Sequence, residues 1–133
     1  MNLFSGKIVR KAGGLAFSGK VIDFFLPSAL GKAVWKSRVA INEDVSLGVG
    51  LDDTSLTDKP GPHQIHLRGE IVELEARDGS TLVTARVGDE RVRLIAGSQH
   101  SLRFGQIIAI AFSLSSVFII RNLTGEFIRS FTK

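Results

Sequence analysis

The side chains able to do chemistry in this chain are few, and their spacing argues against most of what they could do. His63 and His66 form the only close histidine pair. In an extended segment, residues three apart point to opposite faces, so the two imidazoles cannot converge on one metal ion. His100 stands alone beside Gly97-Ser98-Gln99 and is expected in a solvated loop. Glu70, Glu73 and Glu75 could divide the work of a general acid and a general base. Beside Val72 and Leu74, however, they read as the wet positions of a strand, with no pocket to desolvate them. No serine lies in a Gly-x-Ser-x-Gly elbow. The phosphate-cradling pattern Gly-x-x-x-x-Gly-Lys-Ser/Thr is absent, because Gly13-Gly14 and Gly19-Lys20 do not have that spacing, so this chain by itself is not expected to hydrolyse ATP. The absence of cysteine excludes disulfides, thiolate metal sites and cysteine nucleophiles. Asn122-Leu123-Thr124 matches a glycosylation acceptor but reads better as turn chemistry ahead of Gly125.

Charge is distributed unevenly. The formal net charge is +4, yet residues 1–38 hold seven basic side chains (Lys7, Arg10, Lys11, Lys20, Lys32, Lys36, Arg38) against the single Asp23. A basic half can face an acidic partner, anionic lipid or nucleic acid. The cations are spread through strand-like alternation without interleaved aromatics for stacking bases, so solvated faces are the first expectation and nucleic acid is not expected as a partner.

Those residues must be positioned by strands. At 133 residues the chain has the length of one ordinary domain with a single core. It reads as short extended segments separated by turn signals, the pattern of an all-β barrel or sandwich. Leu3–Lys11 and Leu15–Phe25 flank Gly13-Gly14 and predict a hairpin. Ile65–Ala76 and Thr81–Val87 flank Asp78-Gly79, the composition of a type I′ turn. Gly88-Asp89 then leads into Glu90–Ile95, where Arg91 and Arg93 alternate with Val92 and Leu94, completing a meander. Gln106–Phe112 is apolar on both faces and is expected inside a core or at an interface. Pro27–Trp35 could form a helical turn with Ser28 as cap and Leu30, Ala33 and Val34 on one face, although Gly31 weakens it. Asp52–Gln64, with Asp58, Pro60, Gly61 and Pro62, reads as an exposed connection between lobes of roughly 1–51 and 65–133 that share one core. The longest apolar run, Ile107–Phe112, is far shorter than the roughly 20 residues a membrane helix needs, and the start of the chain lacks the features of a secretory signal, so a cytoplasmic location is expected.

Met1-Asn-Leu-Phe-Ser-Gly-Lys-Ile, Ser46-Leu-Gly-Val-Gly-Leu-Asp-Asp53, Leu67-Arg-Gly-Glu-Ile-Val-Glu-Leu74 and Val117-Phe-Ile-Ile-Arg-Asn-Leu-Thr-Gly-Glu126 follow one another in this order along nearly the whole chain. Together they resemble the C-terminal regulatory region of ATP-binding-cassette (ABC) importer ATPases of the carbohydrate and glycerol-phosphate type. The chain departs from that pattern where the family's Arg-Pro-Glu is replaced by Gly50-Leu51-Asp52, and where Arg121 or Asn122 stands for the aspartate of the closing phrase. The resemblance implies an OB-like TOBE region, built from two small β lobes with Greek-key or meander connections, following an ATPase domain that lies outside this sequence. It implies a non-catalytic regulatory and dimerisation role in the import of a sugar or related solute. Its partners would be a second copy, the ATPase domain of its own or the neighbouring subunit and, indirectly, the permease, at the cytoplasmic side of the inner membrane. ATP and Mg would belong to the parent protein and no cofactor to this region. The residues it marks as regulatory or interdomain contacts are Ser46, Leu47, Gly48, Val49, Gly50, Asp52, Asn122, Thr124 and Gly125.

A related expectation comes from barrels of this kind in molybdate-handling proteins, which bind oxyanions at dimer interfaces through backbone N–H groups and basic or hydroxyl side chains. Lys7, Lys20, Ser46 and Ser98 are the residues that could serve a free-standing oxyanion-binding protein here.

Overall fold

The computed structural model describes residues 1–57, 59, 61–97 and 101–129; the expectations for Asp58, Pro60, Ser98 and His100 lie outside the described residues. These residues form eleven strands and one α-helix, so the fold is all-β as the alternation predicts. Among the described residues no helix is long and apolar enough to cross a membrane.

The chain divides into two compact units, and the division does not follow a single linker. One unit comprises Met1–Asn2 and Val49–Ser116, the other Leu3–Gly48 and the chain from Val117 onward. The lobes expected from the sequence, cut once between residues 51 and 65, therefore differ from the observed units: the last strands join the first part of the chain.

The second of these units contains β1 (Asn2–Lys11), β2 (Gly14–Gly19), β3 (Asp23–Phe25), α1 (Ser28–Lys36), β4 (Asp44–Val49), β10 (Phe118–Arg121) and β11 (Phe127–Ile128). Its sheet runs β11-β10-β4-β1-β2-β3. β1 to β3 form a meander and β4 returns beside β1, which is a Greek key. The β1–β2 reversal pairs Lys11 with Gly14, so its two central residues are Ala12 and Gly13, both at positive φ, as a two-residue hairpin turn requires. Gly14 is already strand, one residue away from the expected turn. The expected strand Leu15–Phe25 is broken by a turn in which the Gly19 N–H donates to the Ile22 carbonyl at 2.8 Å.

Helix α1 lies in the crossover from β3 to β4 and is longer than the single turn expected. Pro27 precedes it, Ser28 is its first residue, and no side chain caps it. Nine residues including Gly31 are too few for a stable isolated helix, so docking must hold it. Leu30 and Val34 are fully buried, and each contributes roughly 2 kcal/mol of apolar burial. After the helix, Arg121 fastens the loop before β4. Its Nε and Nη2 donate to Oε2 and Oε1 of Glu43 at 2.8 and 3.0 Å, and Nη1 donates to the Ser37 carbonyl at 3.1 Å. The guanidinium hydrogen bonds, helped by the Ala40 N–H, hold the Glu43 carboxyl below the usual range.

β10 lies against β4 with Phe118 opposite Gly48. A Cβ at residue 48 would come within 2.5 Å of the Phe118 ring, so glycine is a condition of this pairing.

The first unit contains β5 (Thr54–Leu56), β6 (Gln64–Arg77), β7 (Ser80–Val87), β8 (Glu90–Gly97) and β9 (Ile107–Ser113), in the order β5-β9-β6-β7-β8. β9 returns beside β6 after the β6–β8 meander, a second Greek key of the same form. Thr54–Leu56, read from sequence as part of an exposed connection, is a strand pairing with β9. Thr54 is buried because its β-branched side chain packs and its hydroxyl donates to the Gly50 carbonyl at 3.0 Å. The β6–β7 reversal uses Asp78-Gly79, but only Gly79 takes positive φ, so it is not the type I′ turn expected. A bulge at Val72, between the pairs Ile71–Ala85 and Glu73–Thr84, adds twist. The sheet curls until β5 and β8 come close. Asn2 clasps that closure: its Nδ2 donates to the Arg93 carbonyl at 2.7 Å and to Thr54 Oγ1 at 3.2 Å, and its Oδ1 accepts from the Arg93 N–H at 2.7 Å. The side chain thus takes the place of one strand residue on β8.

Ile108, Ile110, Ala111 and Phe112 of β9 are buried as expected of a doubly apolar strand, but Ile107 is 59% exposed. β9 has β5 on one side and β6 on the other, so it presents no free edge.

Two outcomes are expected. Gly48→Ala should destabilise the protein by about 2 kcal/mol through overpacking against Phe118, read as a lower urea midpoint with an unchanged slope. Because the folded-state pKa of Glu43 is lowered, its stabilising contribution is present above about pH 4.5 and lost as pH falls through the lowered value. Thermal melts from neutral to acid pH should show that loss in the wild type and less of it in Arg121→Gln, whose melting temperature should already be lower at pH 7.

Candidate anion-binding groove

Two copies of the tripeptide Ser-Gly-Lys lie on neighbouring strands, Ser5-Gly6-Lys7 on β1 and Ser18-Gly19-Lys20 at the end of β2. The antiparallel register sets Gly6 opposite Gly19 and Lys7 opposite Ser18. With side chains alternating along each strand, Ser5 and Lys7 share the wet face with Ser18 and Lys20. The glycines serve the opposite face. A Cβ at Gly6 would collide with the Phe17 ring and one at Gly19 would stand 2.7 Å from it, so the pair of glycines lets the fully buried Phe17 ring lie beneath the hairpin. The result is a platform with two ammonium groups and two hydroxyls on the outside.

A third wall comes from Asp44 and Val45 at the start of β4 and from Asn122 after β10, enclosing a groove of about 370 Å³. Asn122 is oriented by Ser46, whose hydroxyl donates to Oδ1 at 2.9 Å. That bond leaves the amide N–H₂ as the donating end of Asn122. Asp44 is the one carboxylate of the lining. Its Oδ1 is 4.0 Å from Lys7 Nζ, with both side chains largely in water, a pair that an incoming anion can compete with. Two ammonium groups, hydroxyls and a carboxamide, with one weakly engaged carboxylate, suit an oxygen-rich anion through charge-assisted hydrogen bonds.

The first unit carries different charges on the corresponding framework. β6 begins its Greek key as β1 does, with Arg68-Gly69-Glu70-Ile71 in place of Ser5-Gly6-Lys7-Ile8. A Cβ at Gly69, as at Gly6, would press on the neighbouring strand, and Ile71, like Ile8, is fully buried. Where Lys7 faces Ser18, Glu70 faces Arg86, and Arg86 Nη2 donates to Glu70 Oε1 at 2.9 Å. That position is neutralised from within.

Of the residues singled out from sequence, Lys7, Lys20 and Asn122 line the groove and Ser46 orients Asn122. Leu47, Gly48 and Val49 are buried, Leu47 within the second unit. Gly50 accepts the Thr54 hydroxyl bond, and Asp52 lies exposed on the 3-10 turn Leu51–Asp53. Thr124 and Gly125 shape the β10–β11 turn: the Glu126 N–H donates to Thr124 Oγ1 at 3.2 Å, and the N–H of Gly125, at φ +76°, donates to the Arg121 carbonyl at 2.7 Å. Ser98 is outside the described residues. Glu70, Glu73 and Glu75 are exposed strand residues in ion pairs with Arg86, Arg91 and Arg77. No group of ligands suited to a metal ion occurs among the described residues. Sequence reading missed Ser5, Ser18 and the two glycines, although the repeated tripeptide on paired strands was a visible signal. It also missed the clasp at Asn2.

No protein-family model matches the chain, and no curated protein sequence does. Among solved structures, the chain is similar to the cytoplasmic molybdate-binding protein ModG in a crystal form with molybdate bound: the TM-score is 0.68 at 13% sequence identity, over 89% of this chain and 94% of that one. At that identity the likeness establishes the fold, which is all-β and OB-like, of the TOBE type.

Proposed function

We propose that this chain is a cytoplasmic oxyanion-binding protein of the TOBE type, and that the groove between the paired Ser-Gly-Lys triplets holds a tetrahedral oxyanion of the molybdate class. The observation that carries the reading is the cross-pairing of the triplets, which places the Lys7 and Lys20 cations and the Ser5 and Ser18 hydroxyls on one face beside Asn122. The fold shared with molybdate-bound ModG supports it. Binding, with no chemical step, uses the polar side chains of the lining other than Asp44. The internal Glu70–Arg86 pair at the corresponding place argues for one such site per chain.

Isothermal titration with molybdate, tungstate, sulfate and phosphate tests this. One anion should bind per chain, more weakly as salt rises, and saturating anion should raise the melting temperature. Lys7→Gln combined with Lys20→Gln should weaken binding at least tenfold, whereas Asp44→Asn should tighten it severalfold by removing the competing carboxylate. No heat and no thermal shift at millimolar anion would sink the reading.

A second reading, favoured by the ordered phrases along the chain, is the regulatory region of an ABC importer ATPase. In it, the Ser46–Asp53 and closing phrases work together, an idea encouraged by the pairing of Leu47 and Gly48 with Ile119 and Phe118. It predicts that the native coding sequence upstream of Asn2 encodes a Gly-x-x-x-x-Gly-Lys-Ser/Thr loop; sequencing that region decides it. The two readings are compatible if an oxyanion regulates the ATPase.

A further inference from the structure

Around α1 the second unit presents more cationic and aromatic surface than its folding uses. Leu30 and Val34 bury the helix's apolar face, yet Trp35 is 67% exposed. A groove of about 630 Å³ lies between α1 and β11, with Lys32 and Lys36 on the helix wall and Phe127 and Arg129 on the other. Two further clefts adjoin α1, one lined by Lys32, Trp35 and Lys36 and the other by Trp35, Lys36 and Arg38. Phe127 is 51% exposed but fixed, its ring stacked on Phe118 with centroids 5.3 Å apart and Arg129 beside both rings. The one carboxylate of the lining, Glu126, is engaged by Arg121 Nη1 at 3.4 Å. Rigid aromatics surrounded by cations are the residue types that anchor protein interfaces.

We propose that this groove is a docking site for an extended acidic polypeptide segment with apolar side chains between its carboxylates. Charge complementarity selects acidity: Lys32, Lys36 and Arg129 line the groove with a single, already engaged carboxylate. The sheet selects a polypeptide. β11 ends the strand order β11-β10-β4-β1-β2-β3, and no strand of the described residues pairs with its outer edge, so its main chain offers a template that an added strand can use and that lipid or nucleic acid cannot. A bilayer would require the apolar face of α1, which is buried in the unit's own core. An alternating acidic and apolar strand sets its carboxylates toward the lysines and its apolar side chains toward Phe127.

Trp35 is the single tryptophan of the chain and lines the clefts that share Lys32 and Lys36 with the groove, so its fluorescence reports on this side of α1. The full-length chain is titrated with a short synthetic peptide of alternating Glu and Val. Parallel titrations use an alternating Lys-Val peptide, phosphatidylserine vesicles and a single-stranded oligonucleotide. The Glu-Val peptide should shift the emission to the blue and saturate. The double charge reversal Lys32→Glu with Lys36→Glu, at exposed positions whose folding is checked by circular dichroism, should weaken that response at least tenfold. Lys7→Gln should leave it unchanged. Absence of a shift, a response to vesicles or oligonucleotide tighter than to the peptide, or undiminished binding by the charge-reversed protein would each overturn the proposal.

Discussion

Strand β10 can lie against β4 only because residue 48 has no side chain, and much of the second unit follows from that contact. With Phe118 seated over Gly48, Ile119 enters the core and Arg121 reaches Glu43. Asn122 then comes beside Ser46, and β11 acquires its partner. Because β10 follows the Greek key of the first unit in the chain and β5 follows that of the second, each Greek key is extended by the strand that continues from the other. Closing each sheet therefore demands contacts distant in sequence, an ordering cost repaid only when both are formed.

The same Greek key carries opposite electrostatics in the two units. On β1 and β2, glycines free the core side for Phe17 while the outer side collects Lys7, Lys20 and two serines. On β6 and β7, the corresponding pair is an acid and a base that satisfy one another. Glu70 and Arg86 are held to each other at 2.9 Å, whereas Lys7 has only Asp44 at 4.0 Å, a loose pair that a ligand can compete with. The proposed anion site rests on that difference. The scaffold is common to both places.

Helix α1 shows a related division of labour. Leu30 and Val34 dock it, and Lys32, Trp35 and Lys36 lie exposed on its outer side. It displays Trp35 with Lys32 and Lys36, and the proposed docking site rests on that exposure.

Periodicity determined the all-β class, the β6–β8 meander and the alternating faces of β8, because a half-buried strand writes its two environments into consecutive residues. Ser46 and Asn122 came from the resemblance of the ordered phrases, and Lys7 and Lys20 from the likeness to oxyanion-binding barrels; no periodicity selected them. The lack of cysteine and of a Gly-x-x-x-x-Gly-Lys-Ser/Thr loop could be read directly from the residues. The tertiary structure decided which strands are neighbours. Nothing local in Thr54–Leu56 announces a partner in β9, and nothing in Phe118 announces Gly48. Pairing depends on complementarity between segments tens of residues apart, and no periodicity records it. The assembly of Ser5, Lys7, Ser18, Lys20 and Asn122 into one groove is of this kind: a repeated tripeptide becomes a platform only when the antiparallel register sets its glycines face to face.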